Sequence, residues 1–174
     1  MKVLFVNSIE DAQSLNKPMT SLEDIQMGIS YISAVLKAEG HTTAALVLSP
    51  SRGKSSFKLV DQIVGEFDPR VIAFTTVYSQ YRFIADIARH IRLRWPGRFH
   101  VIGGPHASLN PDRIAMDLFD AVCVGEGEMP MLEAVQQLEQ GVAPSGIKNL
   151  SIRRGDGTIA VSYTHLTLPT IYSV

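Results

Sequence analysis

Short apolar, β-branched runs alternate with longer amphipathic stretches along almost the whole chain, and this alternation limits the possible folds more than any other feature. It is the pattern of βαβ units and a parallel sheet. Strands are predicted at residues 2–6, 44–48, 71–75, 100–102 and 121–124. Their near-continuous apolar character implies a sheet covered on both faces. Ser21 with Asp24 makes a capping-box-like start to a first helix, continued by Ile25, Ile29, Ile32, Val35 and Leu36 until Gly40 stops it. Further helices are predicted at residues 56–67 and 80–95, a short one opening on Asn110-Pro111, and one from Pro130 to Gln140 ahead of Gly141. Beyond Gly141 the two β-prone runs of IKNLSIRRGDGTI flank Arg-Gly-Asp-Gly and read as a small hairpin.

Length and charge narrow the function. A chain of 174 residues suits one domain with a real core. Lys and Arg number 16 against 17 Asp and Glu, with no basic run, so the footprint of a nucleic-acid partner is missing. The opening MKVLFVNSIED turns polar after a short apolar run, which suits a first strand rather than a signal peptide or a membrane span. The single cysteine, Cys123, can form neither an internal disulfide nor a cysteine-rich metal site. A cytoplasmic protein is the expectation.

In an open parallel sheet, ligands bind outside the carboxyl ends of the strands. Four segments should converge there: residues 7–11, 75–80, 103–108 and 125–128. Two of them begin with glycine and the other two are rich in small polar residues, which suits an elongated ligand lying against backbone. Phosphate chemistry fits less well. The third strand ends AFTTVYSQ without the aspartate of a phosphoacceptor domain, Glu10 and Asp11 stand where a phosphate loop would be, and no Walker lysine motif or G-x-G-x-x-G follows the first strand.

The stretch GGPHASLNPDRI, followed by DAVCVGEGEMPMLEAVQQLEQG and the later IKNLSIRRGDGTI, resembles the N-terminal cobalamin-binding domain of cobalamin-dependent radical S-adenosylmethionine enzymes. MKVLFVNS, MGISYISAVLKAEGH and FDPRVIAFTT fit the same resemblance, which covers residues 1 to 159. It implies a flavodoxin-like α/β fold: a five-stranded parallel sheet in the order 2-1-3-4-5, helices on both faces and a small C-terminal hairpin. It also implies a corrin ring over the carboxyl edge and a nucleotide tail running down between sheet and helices. The cofactor-binding residues expected on this basis are Gly103, Gly104, Pro105 and His106, then Gly125, Glu126, Gly127 and Glu128, then Thr75, Thr76 and Ser79, with Asn7 and Ser8 after the first strand. No catalytic or metal-ligating residue is expected within the chain.

Two departures from the family pattern matter. The D-x-H-x-x-G motif is absent, and the histidine nearest the first loop, His41, lies past the first helix; that argues for cobalt without a protein histidine below it. The C-x-x-x-C-x-x-C triad is also absent. The [4Fe-4S] cluster, S-adenosylmethionine and the substrate pocket would therefore belong to a C-terminal radical domain outside this sequence, the partner with which methyl transfer or a related step would be carried out. The expected organisation is a cobalamin-binding domain over residues 1–141 and a linker with hairpin over 142–160. Val161 to Thr170, VSYTHLTLPT, resembles the translated transposon end of sequencing libraries, so residues 161–174 are expected not to be native.

Ordinary structural roles compete with these assignments. Gly103 and Gly104 either permit a tight turn or make room for a cofactor. Glu126 and Glu128 either contact it or serve the start of the fifth helix. His106 either contacts it or closes its loop. Tyr78 and Tyr81 either stack on the corrin or pack between helix and sheet, with packing favoured. Cys123 reads as a small buried residue, and Met19 and Met27 as packing residues. The reading from another class is a flavodoxin-like interaction or regulatory domain that binds no cofactor.

Overall fold

The computed structural model describes residues 1–9 and 26–153, together with the backbone of residues 159–160. Its elements run β1 (Lys2–Ser8), α1 (Met27–Ala38), β2 (Thr42–Leu48), α2 (Lys54–Phe67), β3 (Val71–Thr75), α3 (Tyr81–Arg94), β4 (Phe99–Gly103), α4 (Pro105–Leu109), β5 (Ala121–Cys123), α5 (Glu128–Glu139), β6 (Leu150–Arg153) and β7 (Ile159–Ala160). The strands form one sheet in the order β2-β1-β3-β4-β5-β6-β7. The pairs from β2 to β5 are parallel, as expected for 2-1-3-4-5, and β6 and β7 continue the sheet antiparallel.

Alternation along the strands splits the core into two layers. Leu4, Val6, Ile72, Phe74, Ile102 and Val122 face α2 and α3, where Val60, Val64, Ile84, Ile87 and Ile91 bury against them. Val3, Phe5, Val71, Ala73, Val101 and Cys123 face the other way, towards Leu36 of α1 and Met131, Ala134 and Val135 of α5. The hairpin shares this second layer: Ile147, Leu150 and Ile152 are buried in it, and Leu150 pairs with Cys123.

The helix starts differ from the sequence expectation. The fourth helix opens at Pro105 rather than at Asn110-Pro111, and residues Pro111–Arg113 form only a 3-10 turn. Pro105 sits in the first turn, where its missing N–H leaves nothing unsatisfied. Asn110 is pushed to φ −139 and ψ 53, out of the helical region disfavoured before a proline, so the helix ends there. The fifth helix starts at Glu128 and contains Pro130 in its first turn. The second starts at Lys54, after a 3-10 turn at Pro50–Arg52 capped by the Ser49 hydroxyl, which accepts from the Ser51 N–H at 3.3 Å. The predicted capping box of Ser21 and Asp24, Met19, the Arg-Gly-Asp-Gly turn and residues 161–174 lie outside the described residues. Among those described, no helix is long and apolar enough to cross a membrane.

Candidate cofactor site

A cavity of about 290 Å³ lies between the sheet and the α1–α5 layer, open at the carboxyl edge. Its origin is legible in side-chain size. On this face β1, β3, β4 and β5 present Phe5, Ala73 and Thr75, Val101 and Gly103, and Cys123. Phe5 pairs with Ala73 and Ala73 with Val101, while Thr75 pairs with Gly103 one level nearer the edge. Three of the four central positions carry side chains no larger than threonine or none at all, so the layer cannot close. Gly28, Ile29 and Ile32 of α1 and Met131 of α5 form the opposite wall.

Gly103, which ends β4, and Gly104, which follows it, answer different needs. A Cβ on Gly104 would overlap Thr75 Oγ1 and lie 3.1 Å from both the N and the O of Thr76, and the residue holds φ +89. The chain itself demands this glycine, for a turn and a close backbone approach. Gly103 has no such constraint: its φ is outside the left-handed region, and a Cβ there would meet only Cys123 Cβ at 3.6 Å and Cys123 O at 3.8 Å. Nothing in the fold requires Gly103 to lack a side chain, and the space a longer one would enter is the cavity.

Of the predicted residues, Thr75, Gly103, Gly104, Pro105, Gly125, Glu126, Gly127 and Glu128 line this cavity. Asn7 falls on the same face by strand alternation. It is 2% exposed, and its Nδ2 is buried without a hydrogen-bond partner, a donor available to a polar ligand group. Gly125 donates its N–H to Ser108 Oγ at 2.9 Å, joining the loops after β4 and β5. Glu126 is exposed and Glu128 half-buried, and no side chain caps α5 by a hydrogen bond. Burial, and then the charges of Glu128 and Glu126, push the Cys123 thiol up to about 12. It stays protonated, 3.8 Å from the Glu126 carbonyl that accepts from it.

Other predicted residues are directed elsewhere. Ser8 Oγ donates to Gln80 Oε1 at 3.1 Å, and Ser8 falls on the α2–α3 side of β1. Thr76 is buried, with its hydroxyl donating to the Val77 carbonyl at 2.9 Å, and Ser79 is exposed on the 3-10 turn after β3. His106 is 4% exposed, with Tyr81 at 4.7 Å and Tyr78 at 5.4 Å between ring centroids. Its backbone N–H donates to Thr76 O at 3.1 Å. Burial and the nearby Arg113 hold its imidazole below the ordinary histidine range. Tyr81 is a packing residue whose hydroxyl accepts from the Ala115 N–H at 2.8 Å, while Tyr78 is 74% exposed. Sequence reasoning missed Phe5, Ala73, Val101, Ile29, Ile32 and Met131 as lining residues. For Ala73 and Val101 the usable signal was the alternation of large and small side chains along residues 71–75 and 100–103, where the positions facing the cavity are the smaller.

Comparison with known proteins agrees with this geometry. Residues 23–135, more than half of the chain, match the B12 binding domain family. An uncharacterised methyltransferase of Pyrococcus horikoshii is 27% identical over 159 residues, covering 88% of this chain and 33% of that protein. The cytidylyl-2-hydroxyethylphosphonate methyltransferase of Streptomyces wedmorensis is 27% identical over 155 residues, covering 78% of this chain and 28% of its own length. The chain thus spans about a third or less of these relatives. The fold is shared with the radical S-adenosylmethionine methyltransferase TsrM from Kitasatospora setae, solved with cobalamin and a [4Fe-4S] cluster bound. There the TM-score is 0.73 at 21% identity, over 97% of this chain and 30% of that one. It is shared too with the cobalamin-dependent S-adenosylmethionine radical enzyme OxsB, with aqua-cobalamin and S-adenosylmethionine bound, at TM-score 0.70 and 14% identity over 93% of this chain and 22% of that one. An α/β sheet of this order, a cavity open at its carboxyl edge and the family match together identify the chain as a member of the B12 binding domain family.

Proposed function

We propose that the chain is the cobalamin-binding module of a radical S-adenosylmethionine enzyme that carries out methyl transfer or related radical chemistry with a catalytic domain not contained in this sequence. The observation that carries the reading is the cavity beside Gly103: a position free to bear a side chain has none, and it opens directly into the space between sheet and α1. At about 290 Å³ that space falls just short of the usual range of ligand pockets, roughly 300–1,000 Å³. A space of this size would hold part of a large cofactor, with Gly103 leaving the room for it.

The residues present fit such a group. Gly103 leaves room for the tail, the orphaned Asn7 amide offers a donor at the cavity level of the sheet, and Thr75 offers a hydroxyl. Glu126 and Glu128, at the start of α5, offer acceptors to amide N–H groups. When bound, cobalamin supplies the cobalt-centred alkyl-transfer chemistry, and the protein's contribution is placement. Among the described residues, no three His, Cys, Asp or Glu side chains come together to hold a metal ion. The iron–sulfur cluster and S-adenosylmethionine are assigned to the further domain, as is the choice of substrate.

The test is an absorbance spectrum of the full chain after mixing with hydroxocobalamin and desalting. A corrinoid spectrum co-eluting with the protein supports the reading. A colourless eluate from a folded chain overturns it and favours an interaction domain without cofactor.

A further inference from the structure

Three donor atoms meet at the amino edge of the sheet, opposite the cavity mouth. The α-amino nitrogen of Met1 stands 3.2 Å from His41 Nδ1 and 2.7 Å from Glu139 Oε1, and the imidazole nitrogen and the carboxylate oxygen are 3.4 Å apart. Met1 and His41 directly precede β1 and β2, and Glu139 ends α5. Backbone pins the first two: Met1 O accepts from the Thr42 N–H at 2.9 Å, and the His41 N–H donates to Leu36 O at 3.0 Å. The Met1 side chain packs on the α1–α5 core layer, while the Glu139 side chain is 42% exposed and free to adjust. A protonated amine only donates, so Nδ1 accepts from it and the ring proton sits on Nε2, which is buried without a partner. The Nδ1 lone pair is thus directed into the triangle. The hydrogen bond from the amine, ahead of other causes, holds the Glu139 carboxyl below its ordinary range, so it stays an anion.

We infer that, with Met1 bearing its free amine, this triangle binds one zinc ion through the amine, His41 Nδ1 and the Glu139 carboxylate, with water in the fourth position. The site is independent of the cobalamin reading. Donors about 2.1 Å from a tetrahedral zinc stand about 3.4 Å from one another. Two of the separations, 3.2 and 3.4 Å, already match; the third, 2.7 Å, opens by a small swing of the exposed Glu139 side chain. Two nitrogens and one carboxylate oxygen form a set that suits zinc, whereas calcium and magnesium take oxygen ligands. On binding, the amine releases one proton to solvent and its lone pair takes the ion, as do those of Nδ1 and the carboxylate; nothing is oxidised or reduced. Only two of the ligands are side chains, and they are far apart in sequence, so no spacing motif marks the site.

The experiment titrates the full chain, its unblocked Met1 verified by intact mass, with Zn2+ alone by calorimetry, and with Co2+, whose visible absorption reports four-coordinate binding. One ion per chain with a micromolar or tighter Kd is expected. Glu139→Gln, and separately one glycine added ahead of Met1, are each expected to weaken it at least about tenfold and to remove the Co2+ bands. The added glycine moves the amine while keeping every side chain, and Glu139 is exposed, so both chains should fold; circular dichroism checks this. His90→Gln, at the separate pair with Asp61, is expected to bind as the parent does. Zinc binding unchanged in Glu139→Gln and in the extended chain, or lost in His90→Gln, puts the ion elsewhere and overturns the inference. A parent chain that binds neither ion below about millimolar overturns it as well.

Discussion

Gly103 and Cys123 face each other across β4 and β5 with only ordinary contact between them, since a Cβ on the glycine would stand 3.6 Å from that of the cysteine. The gap beside this pair is therefore not set by the needs of the fold. Gly103→Leu is expected to fold with a thermal midpoint close to the parent's and to lose at least tenfold in cobalamin affinity, because its side chain occupies the cavity. Circular dichroism and corrinoid retention on one sample check this. Full retention by a folded leucine variant would place the tail elsewhere.

Gly104 behaves oppositely. Its φ of +89 and its overlap with Thr75 Oγ1 make any side chain costly. Gly104→Ala is expected to lose about 2 kcal/mol or more of stability with or without corrinoid present. Denaturant titration measures it. A variant as stable as the parent would mean that the loops after β3 and β4 part easily.

Cys123 should be inert. Its thiol is 5% exposed and pushed up to about 12, and the thiolate is the reactive form. At pH 8 a disulfide reagent is expected to react slowly with the native chain and fully in denaturant, with one thiol per chain. Fast reaction of the native protein would show that the α5 side of the cavity opens readily.

His100 should make the fold acid-sensitive. The ring is fully buried in β4. Its Nδ1 donates to the Leu118 carbonyl at 3.1 Å, and its Nε2 has no partner. Burial first, and Arg92 second, lower its pKa from 6.5 to about 4. The unfolded chain therefore takes up this proton more readily than the folded one. The associated stability is complete above pH 6.5, falls as pH drops towards 4 and then levels off, a loss on the order of 3 kcal/mol. Urea unfolding between pH 7 and 4 should show this slope, reduced in His100→Gln. The same slope in both proteins would assign the acid sensitivity to other groups.

Much of this protein is legible without coordinates. The alternation of strand and helix patterns, set by local backbone geometry and the burial of one face, carries the parallel sheet and its helices. The glycines Gly103 and Gly125 mark the edge at which the cavity opens. The helix starts were less readable: the fourth helix opens at Pro105 rather than at Asn110-Pro111, directly after Gly104, whose positive φ and close approach to Thr75 and Thr76, remote in sequence, leave no room for a side chain. The two adjacent glycines look alike in the chain, yet one is needed by the backbone and the other leaves space. Only tertiary packing separates them, since the difference depends on what stands opposite each Cβ. Likewise Ser8 and Asn7 are neighbours on one strand, but alternation sends the hydroxyl to Gln80 and leaves the amide unpartnered on the cavity face. Residue type supplied the candidates; the side of the sheet on which each falls decided which of them meet.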